Sequence, residues 1–394
     1  MPGMVGGFGN IYSNFNYKKF SLFFQKAIIN IPHCIAMRYI NIEYVGKIIK
    51  FVSLRYSENK KVCINFHRFY ANGINNRQSQ LGSYLAGLVE GDGTLAVQDT
   101  NITGRKYSPK IIIVFKKADL PLANYLQTIT NCGKIYIKLD RGYVLWQIQD
   151  IVSVYKFVNL INGYMRTPKI EALGRMIYWL NNYLINNEFS KLPSTQKILS
   201  EISYISAPEA KPGGWVITTI ELKSLDNSAI DSNAWLAGFS DADANFSINI
   251  HKRSKLNSIR VQLFYRLEIA QTYSRDLDKV NQKTFFDIIS KVGMFLGVNI
   301  LSRTRNIKDK LYSSFIVMAH NKASIEKITD YFSVFPLLSS KYLDYKDWLY
   351  ILKLQKTNKI TTSYLEDAIK IRKDFNKTRT TFTWDHLKNC YIVK

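Results

Sequence analysis

The sequence predicts an α+β fold built from two similar repeats, and two observations lead there. Residues 85–93 read Leu-Ala-Gly-Leu-Val-Glu-Gly-Asp-Gly, and residues 236–244 read Leu-Ala-Gly-Phe-Ser-Asp-Ala-Asp-Ala. The starts differ by 236 − 85 = 151 residues, room for one compact domain per copy. A strand–turn–strand pattern follows each copy, as an internal duplication requires.

The elements follow in order. Residues 1–80 carry little periodicity, and the glycines at 3, 6, 7 and 9 oppose an early helix. Asn72-Gly73 and the polar run to Ser83 read as a linker. The first motif helix ends at Gly93, and Thr94–Gln98 alternates as a strand. Lys110–Lys117 is an apolar strand and Leu120–Thr130 a helix. Lys134, Tyr136 and Lys138 alternate with Ile135, Ile137 and Leu139, and Asp140-Arg141-Gly142 turns the chain back into Tyr143–Gln149. Val152–Ile161 and Ile170–Tyr183 are helical by spacing. Pro208, Pro212, Gly213 and Gly214 punctuate a polar join near residues 195–232. In the second half, Asn245–His251 and Ile259–Ala270 are strands, Leu277–Leu296 is a helix, and Asn299–Arg305 with Leu311–Ala319 forms a hairpin. Ala323–Phe332, Tyr342–Leu352 and Tyr364–Phe375 are helices. The domain reading is therefore 1–80 an N-terminal extension, 81–195 a first repeat, 196–230 a linker and 231–394 a second repeat.

Bulk properties narrow the function. Among 394 residues, 54 Lys+Arg stand against 30 Asp+Glu, a net charge of +24 spread through the chain. That excess points to a polyanion as partner, with nucleic acid favoured. Cys34, Cys63, Cys132 and Cys390 are far apart and lack CxxC spacing, which argues against zinc and a disulfide framework. No apolar run approaches the roughly 18 residues that span a bilayer.

The motif itself carries chemistry. Gly87 and Gly91 are four apart, as are Gly238 and Ala242, so each pair lies on one helix face and lets two such helices cross closely. Asp92 and Asp243 then fall at helix C-terminal ends, where the dipole disfavours a carboxylate and two acids repel. Divalent cations resolve that conflict, and Mg²⁺ suits a site of few carboxylates plus water and phosphate oxygens. Glu90 and Asp241 lie about 200° round the helix and are expected to cap or salt-bridge within their own domains. Lys134, Tyr136 and Lys138, then Arg260, Gln262 and Arg266, with Arg303 and Arg305, form strand faces suited to phosphates and base edges.

Both repeats resemble the LAGLIDADG family of homing endonucleases and intron maturases, in its single-chain form, over about residues 80–390. Arg166-Thr-Pro-Lys169, Asp231-Ser-Asn-Ala-Trp-Leu236, Tyr342-Leu-Asp-Tyr-Lys346 with Trp348, and Thr378-Arg-Thr-Thr-Phe-Thr-Trp384 resemble its fungal mitochondrial, intron-encoded branch. The resemblance implies two pseudo-symmetric α-β-β-α-β-β-α units, motif helices at their interface, and two sheets forming a saddle over double-stranded DNA. It implies Asp92 and Asp243 as metal-binding catalytic acids, Lys116 and Gln271 as polar residues near the scissile phosphates, and Lys322 as the active-site lysine, whose counterpart falls near Ile151. Ala244 departs from the motif's final Gly, a residue suited to unusual φ/ψ or to close backbone approach, and a methyl group there is expected to shift Asp243 slightly. Met1–Asn10 resembles a piece of cytochrome c oxidase subunit 1, which implies translated upstream exon with no part in catalysis. The expected protein is a monomeric, Mg²⁺-dependent endonuclease of the mitochondrial matrix that cuts a long DNA site at its intron's insertion point. The alternative is a maturase binding its own group I intron RNA.

Overall fold

The structure, a computed structural model, describes residues 76–97, 108–206, 218–253, 258–273, 283–357 and 362–392. Met1–Asn10 and the rest of the N-terminal extension up to residue 75 lie outside them.

The first repeat runs α1 (Asn76–Asp92), β1 (Gly93–Ala96), β2 (Lys110–Lys116), α2 (Leu120–Thr130), β3 (Lys134–Lys138), β4 (Tyr143–Ile148) and α3 (Ile151–Ile161), then α4 (Ile170–Asn187) and α5 (Pro193–Ser206). The second runs α6 (Trp235–Asp243), β5 (Ala244–Arg253), β6 (Ser258–Ala270), a small ladder of β7 (Thr272–Tyr273) with β8 (Lys283–Thr284), α7 (Phe286–Leu296), β9 (Ile300–Ile307), β10 (Lys310–Ala319) and α8 (Lys322–Val334), then α9 (Lys341–Thr357) and α10 (Thr362–Lys373). The sheets are antiparallel with matching orders, β1-β2-β4-β3 and β5-β6-β10-β9. The duplication expected from the motif spacing is thus a duplication of topology.

Alternation explains both sheets. Ile111, Ile113 and Phe115 of β2 are buried with Val144, Trp146 and Ile148 of β4. Phe246, Ile248, Leu263, Tyr265 and Leu267 do the same in the second sheet. The intervening residues line an open face on each sheet. The β9–β10 hairpin turns on Lys308 and Asp309, both at positive φ (49° and 61°), the two-residue turn whose twist matches the strands.

The two repeats meet through α1 and α6. A Cβ at Gly87 would lie 2.1 Å from the Trp235 carbonyl oxygen, and one at Gly238 would lie 2.0 Å from that of Tyr84. The helices therefore touch backbone to backbone, with Leu85, Leu88, Leu236 and Phe239 buried beside the crossing.

Three expectations need correction. The polar run before Ser83 is the start of α1, not a linker. Gln80 and Ser83 are buried in it because both accept the Ala234 N–H, at 3.1 and 3.2 Å, and so cap α6 across the interface. Of the helix expected over 277–296, Phe286–Leu296 is helical, Thr284 instead pairs with Thr272 in the small ladder, and residues 277–282 lie outside the described residues. The join contains α5, started by Pro193 and held by buried Leu199 and Ile202. From residue 218 it runs without helix or strand to the short turn at Ile230–Ser232, clasped by two asparagines. Asn162 binds the Glu221 carbonyl and the Lys223 N–H, and Asn181 binds both backbone groups of Ile220. Among the described residues no helix is long and apolar enough to cross a membrane.

Replacing Gly238 with Ala should lower stability by about 1–3 kcal/mol or more, because a backbone carbonyl occupies the space the methyl needs. Urea unfolding of the full chain checks this, and an unchanged midpoint would show that the helices do not cross there.

Candidate active site

Asp92 and Asp243 are the last residues of α1 and α6, and each chain passes directly into a strand. The close crossing brings these ends together. A Cβ at Gly91 would sit 2.1 Å from the Ala242 Cβ and 3.2 Å from Asp243 Oδ2. Asp92 opens to solvent on one side, yet protein packed on the other desolvates its carboxyl and raises its pKa, with Lys341 and Lys169 pulling it back. Asp243 is pushed up to about 6, first by burial and then by the charge of Asp92, against Lys341 and Lys169. Each acid is thus ionised at a cost.

The cations acting on both acids, among the described residues, are Lys169 and Lys341. Lys169 Nζ donates to the carbonyls of Val89, Gly91 and Gly93 at 3.2, 3.1 and 3.0 Å. Lys341 Nζ donates to those of Ser240 and Ala242 at 3.0 and 2.7 Å. Each lysine therefore caps the carbonyl end of its own repeat's motif helix. Burial lowers the pKa of both, while the surrounding acids oppose that shift.

Glu90 and Asp241 hold the loops that deliver these lysines. Glu90 accepts from the Arg166 and Thr167 amides and from Thr167 Oγ1. Asp241 accepts from the Leu338 amide and Ser339 Oγ. Both also reach across the interface: Trp235 Nε1 donates to Glu90 at 2.6 Å, and Tyr84 OH donates to Asp241 at 2.8 Å. They act within their own domains as expected, and the crossing also carries each carboxylate to the opposite motif helix. Arg166 adds to this seam, stacking on Trp235 at 5.6 Å and pairing with Asp226 of the join at 2.7 Å.

The other expected residues fall in three places. Gly87, Gly91, Gly238 and Ala242 all lie at the crossing. Lys116 ends β2 on the open face of the first sheet, alongside Lys134, Tyr136 and Lys138. Strand register separates it from Gln271. Gly93 pairs with Ile113 and Ala244 with Leu267, so four residues further on stand Lys117 and Gln271. Their amides make matching bonds, Lys117 to the Gly142 carbonyl at 3.1 Å and Gln271 to that of Ser313 at 3.0 Å. Lys117 is therefore the counterpart of Gln271. The Gln271 amide nitrogen rests on Ser302 Oγ and the Ser314 carbonyl. Lys322 is exposed at the start of α8, and Ile151 opens α3 in the matching place. Asn321 and Asp150 cap these two helices by the same side-chain bond, from Ser324 and Ser153. On the second sheet's open face lie Arg260, Gln262 and Arg266 of β6 with Arg303 and Arg305 of β9.

A family model described as LAGLIDADG endonuclease matches residues 85–180 and 236–352. The chain belongs to the LAGLIDADG endonuclease family. It is 42% identical over 326 residues to the intron-encoded DNA endonuclease aI3 of Saccharomyces cerevisiae, covering 79% of this chain and 74% of that protein. It is 30% identical over 303 residues to an uncharacterized cox1 intron-2 protein of Schizosaccharomyces pombe, covering 76% and 74%. The fold matches that of the LAGLIDADG homing endonuclease I-GzeII, solved with its DNA target, with a TM-score of 0.52 at 19% identity over 76% of this chain and 99% of that one. For I-LtrWI bound to target DNA the TM-score is 0.51 at 21% identity, over 77% and 100%.

The LAGLIDADG motif's last position differs between the repeats for a steric reason. Ala244 is extended (φ −89°, ψ 161°), a conformation open to any residue, so of the two reasons for Gly there unusual φ/ψ does not apply. Gly93 is needed for space, since a Cβ there would lie 2.6 Å from Val89 Cα.

Two outcomes follow. Ala244→Gly should change a cleavage rate by less than about twofold, whereas a backbone shift of about 1 Å at a catalytic group can cost 100-fold. A large rate gain would show that the methyl displaces Asp243. Asp243→Asn should stabilise the metal-free protein at pH 8, because a raised carboxyl pKa makes the ionised form a destabilising one. That gain should shrink as pH falls through about 6, where the wild-type group protonates. Thermal melts across pH check the sign, and a gain that grows on acidification would refute the assignment.

Proposed function

We propose that this chain is a site-specific DNA endonuclease that promotes homing of its own mitochondrial group I intron. The observation that carries the reading is the acid pair, Asp92 and Asp243, desolvated and mutually repelling at the joint between two cationic sheet faces. A relative covering most of the chain is named an intron-encoded DNA endonuclease, which supports it.

The residues fit Mg²⁺. Among the described residues no group of three or more His, Cys, Asp and Glu gathers, and Mg²⁺ asks for one or two carboxylates, completing its shell with water and phosphate. Asp92 and Asp243 would hold it. When bound, Mg²⁺ supplies an acidified water and neutralises charge developing on the scissile phosphate. Lys169 and Lys341 fix the helix ends, so the carboxylates stay in place when charged. Lys117 offers a cation beside one strand end, and Gln271 offers a neutral amide at the matching place. Lys116 and Lys322 stand exposed for phosphate contacts.

The same reading assigns Lys134, Tyr136, Lys138, Arg260, Gln262, Arg266, Arg303 and Arg305 to the DNA face, with the chain acting as a monomer whose repeats each take a half-site. Phosphate contacts give affinity there and base edges give specificity.

The test incubates the full chain and Mg²⁺ with duplex DNA spanning the joined exons and with the intron-interrupted allele. Cleavage of the first alone is expected, abolished by Asp92→Asn while binding persists. Equal affinity for both duplexes, with neither cut, would overturn the reading and direct attention to the intron RNA.

A further inference from the structure

The two four-stranded sheets present a face almost free of negative charge. Among the described strand residues, Glu268 of β6 is the one carboxylate. It stands on the open face, since its neighbours Leu267 and Ile269 point into the core. A bare acid there would repel phosphates, so its presence needs a physical reason.

Its contacts supply one. Glu268 Oε2 takes Arg266 Nη2 at 2.6 Å, and Oε1 takes Arg305 Nη2 at 2.7 Å and Ser314 Oγ at 2.6 Å. These partners come from three strands, β6, β9 and β10. Burial raises the Glu268 pKa, but Ser314, Arg266, Arg305 and Arg303 outweigh it and hold the carboxyl below its usual range. The side chain is therefore ionised and its acceptors are engaged before any ligand arrives. Each guanidinium spends one terminal nitrogen on Glu268, and among the described residues the other terminal nitrogen has no partner.

We propose that Glu268 is a positioning residue for sequence discrimination, bracing Arg266 and Arg305 so that their free nitrogens meet guanine edges in one half-site. The inference rests on the DNA-binding reading above. An unbraced arginine follows the nearest phosphate, which carries no sequence information, whereas guanine O6 and N7 require a fixed planar donor. The carboxylate also removes one net positive charge from the cluster, which weakens indiscriminate phosphate attraction.

The test titrates the full chain, at one stated salt and without divalent cation, against the joined-exon duplex, its single-base variants and a random duplex of equal length. Glu268→Gln should bind the random duplex a few-fold tighter, about two- to threefold, because a negative charge is gone. It should bind the junction more weakly, so the specificity ratio falls by about tenfold or more, the scale of one good bidentate base contact. The tolerated base pairs should be those relaxed by Arg266→Ala and Arg305→Ala, and adding Glu268→Gln to that pair should lower the ratio no further. An unchanged ratio, relaxation at different base pairs, or a parallel loss on both duplexes with a lower melting temperature would each overturn the proposal. A wild-type protein with no preference for the junction would overturn the homing reading with it; a clear wild-type preference beside an unchanged variant ratio would overturn this inference alone.

Discussion

The backbone contact between α1 and α6 is the constraint on which the rest depends. It exists because Gly87 and Gly238 lack side chains where the opposing carbonyls pass. Buried polar groups fix how the helices meet: Gln80 and Ser83 cap the start of α6, Trp235 reaches Glu90, and Tyr84 reaches Asp241. Buried hydrogen bonds of this kind contribute modest net stability, but a sliding of the helices would leave several unsatisfied at once. Register is thereby set at the same place as contact.

That geometry creates an electrostatic conflict and answers most of it. Two helix C-terminal ends converge, each with exposed carbonyls and each carrying an acid. Lys169 and Lys341 satisfy the carbonyls of the last turns, and Glu90 and Asp241 anchor the loops from which those lysines extend. What stays only partly compensated is the pair Asp92 and Asp243, and the Asp243 carboxyl at about 6 records it.

The sequence was informative where structure is local. Period-two alternation located the sheet strands and their faces, and helix spacing put both acids at the ends of one kind of helix. Long-range partners were less legible. Lys341 follows Leu338-Ser-Ser, while Lys169 follows Arg166-Thr-Pro, so the shared role shows only in the equal offset from the loop each acid clasps. Lys116 and Lys117 are adjacent lysines, and nothing but strand register tells which one matches Gln271. Gln80 and Ser83 looked like linker residues because the backbone amide they serve belongs to the other repeat.

The contact between Gly91 and Ala242 bears on which halves can pair. The Ala242 methyl group fills the space where a Cβ at Gly91 would come within 2.1 Å. Two copies of the second repeat, paired by the same crossing, would bring methyl against methyl in that space. Two copies of the first would meet there with no methyl at all. The present pairing is therefore one that a symmetric dimer cannot carry. A second half paired with a copy of itself through this crossing would have to widen the gap by a methyl group, so the crossing favours the pairing of unlike halves.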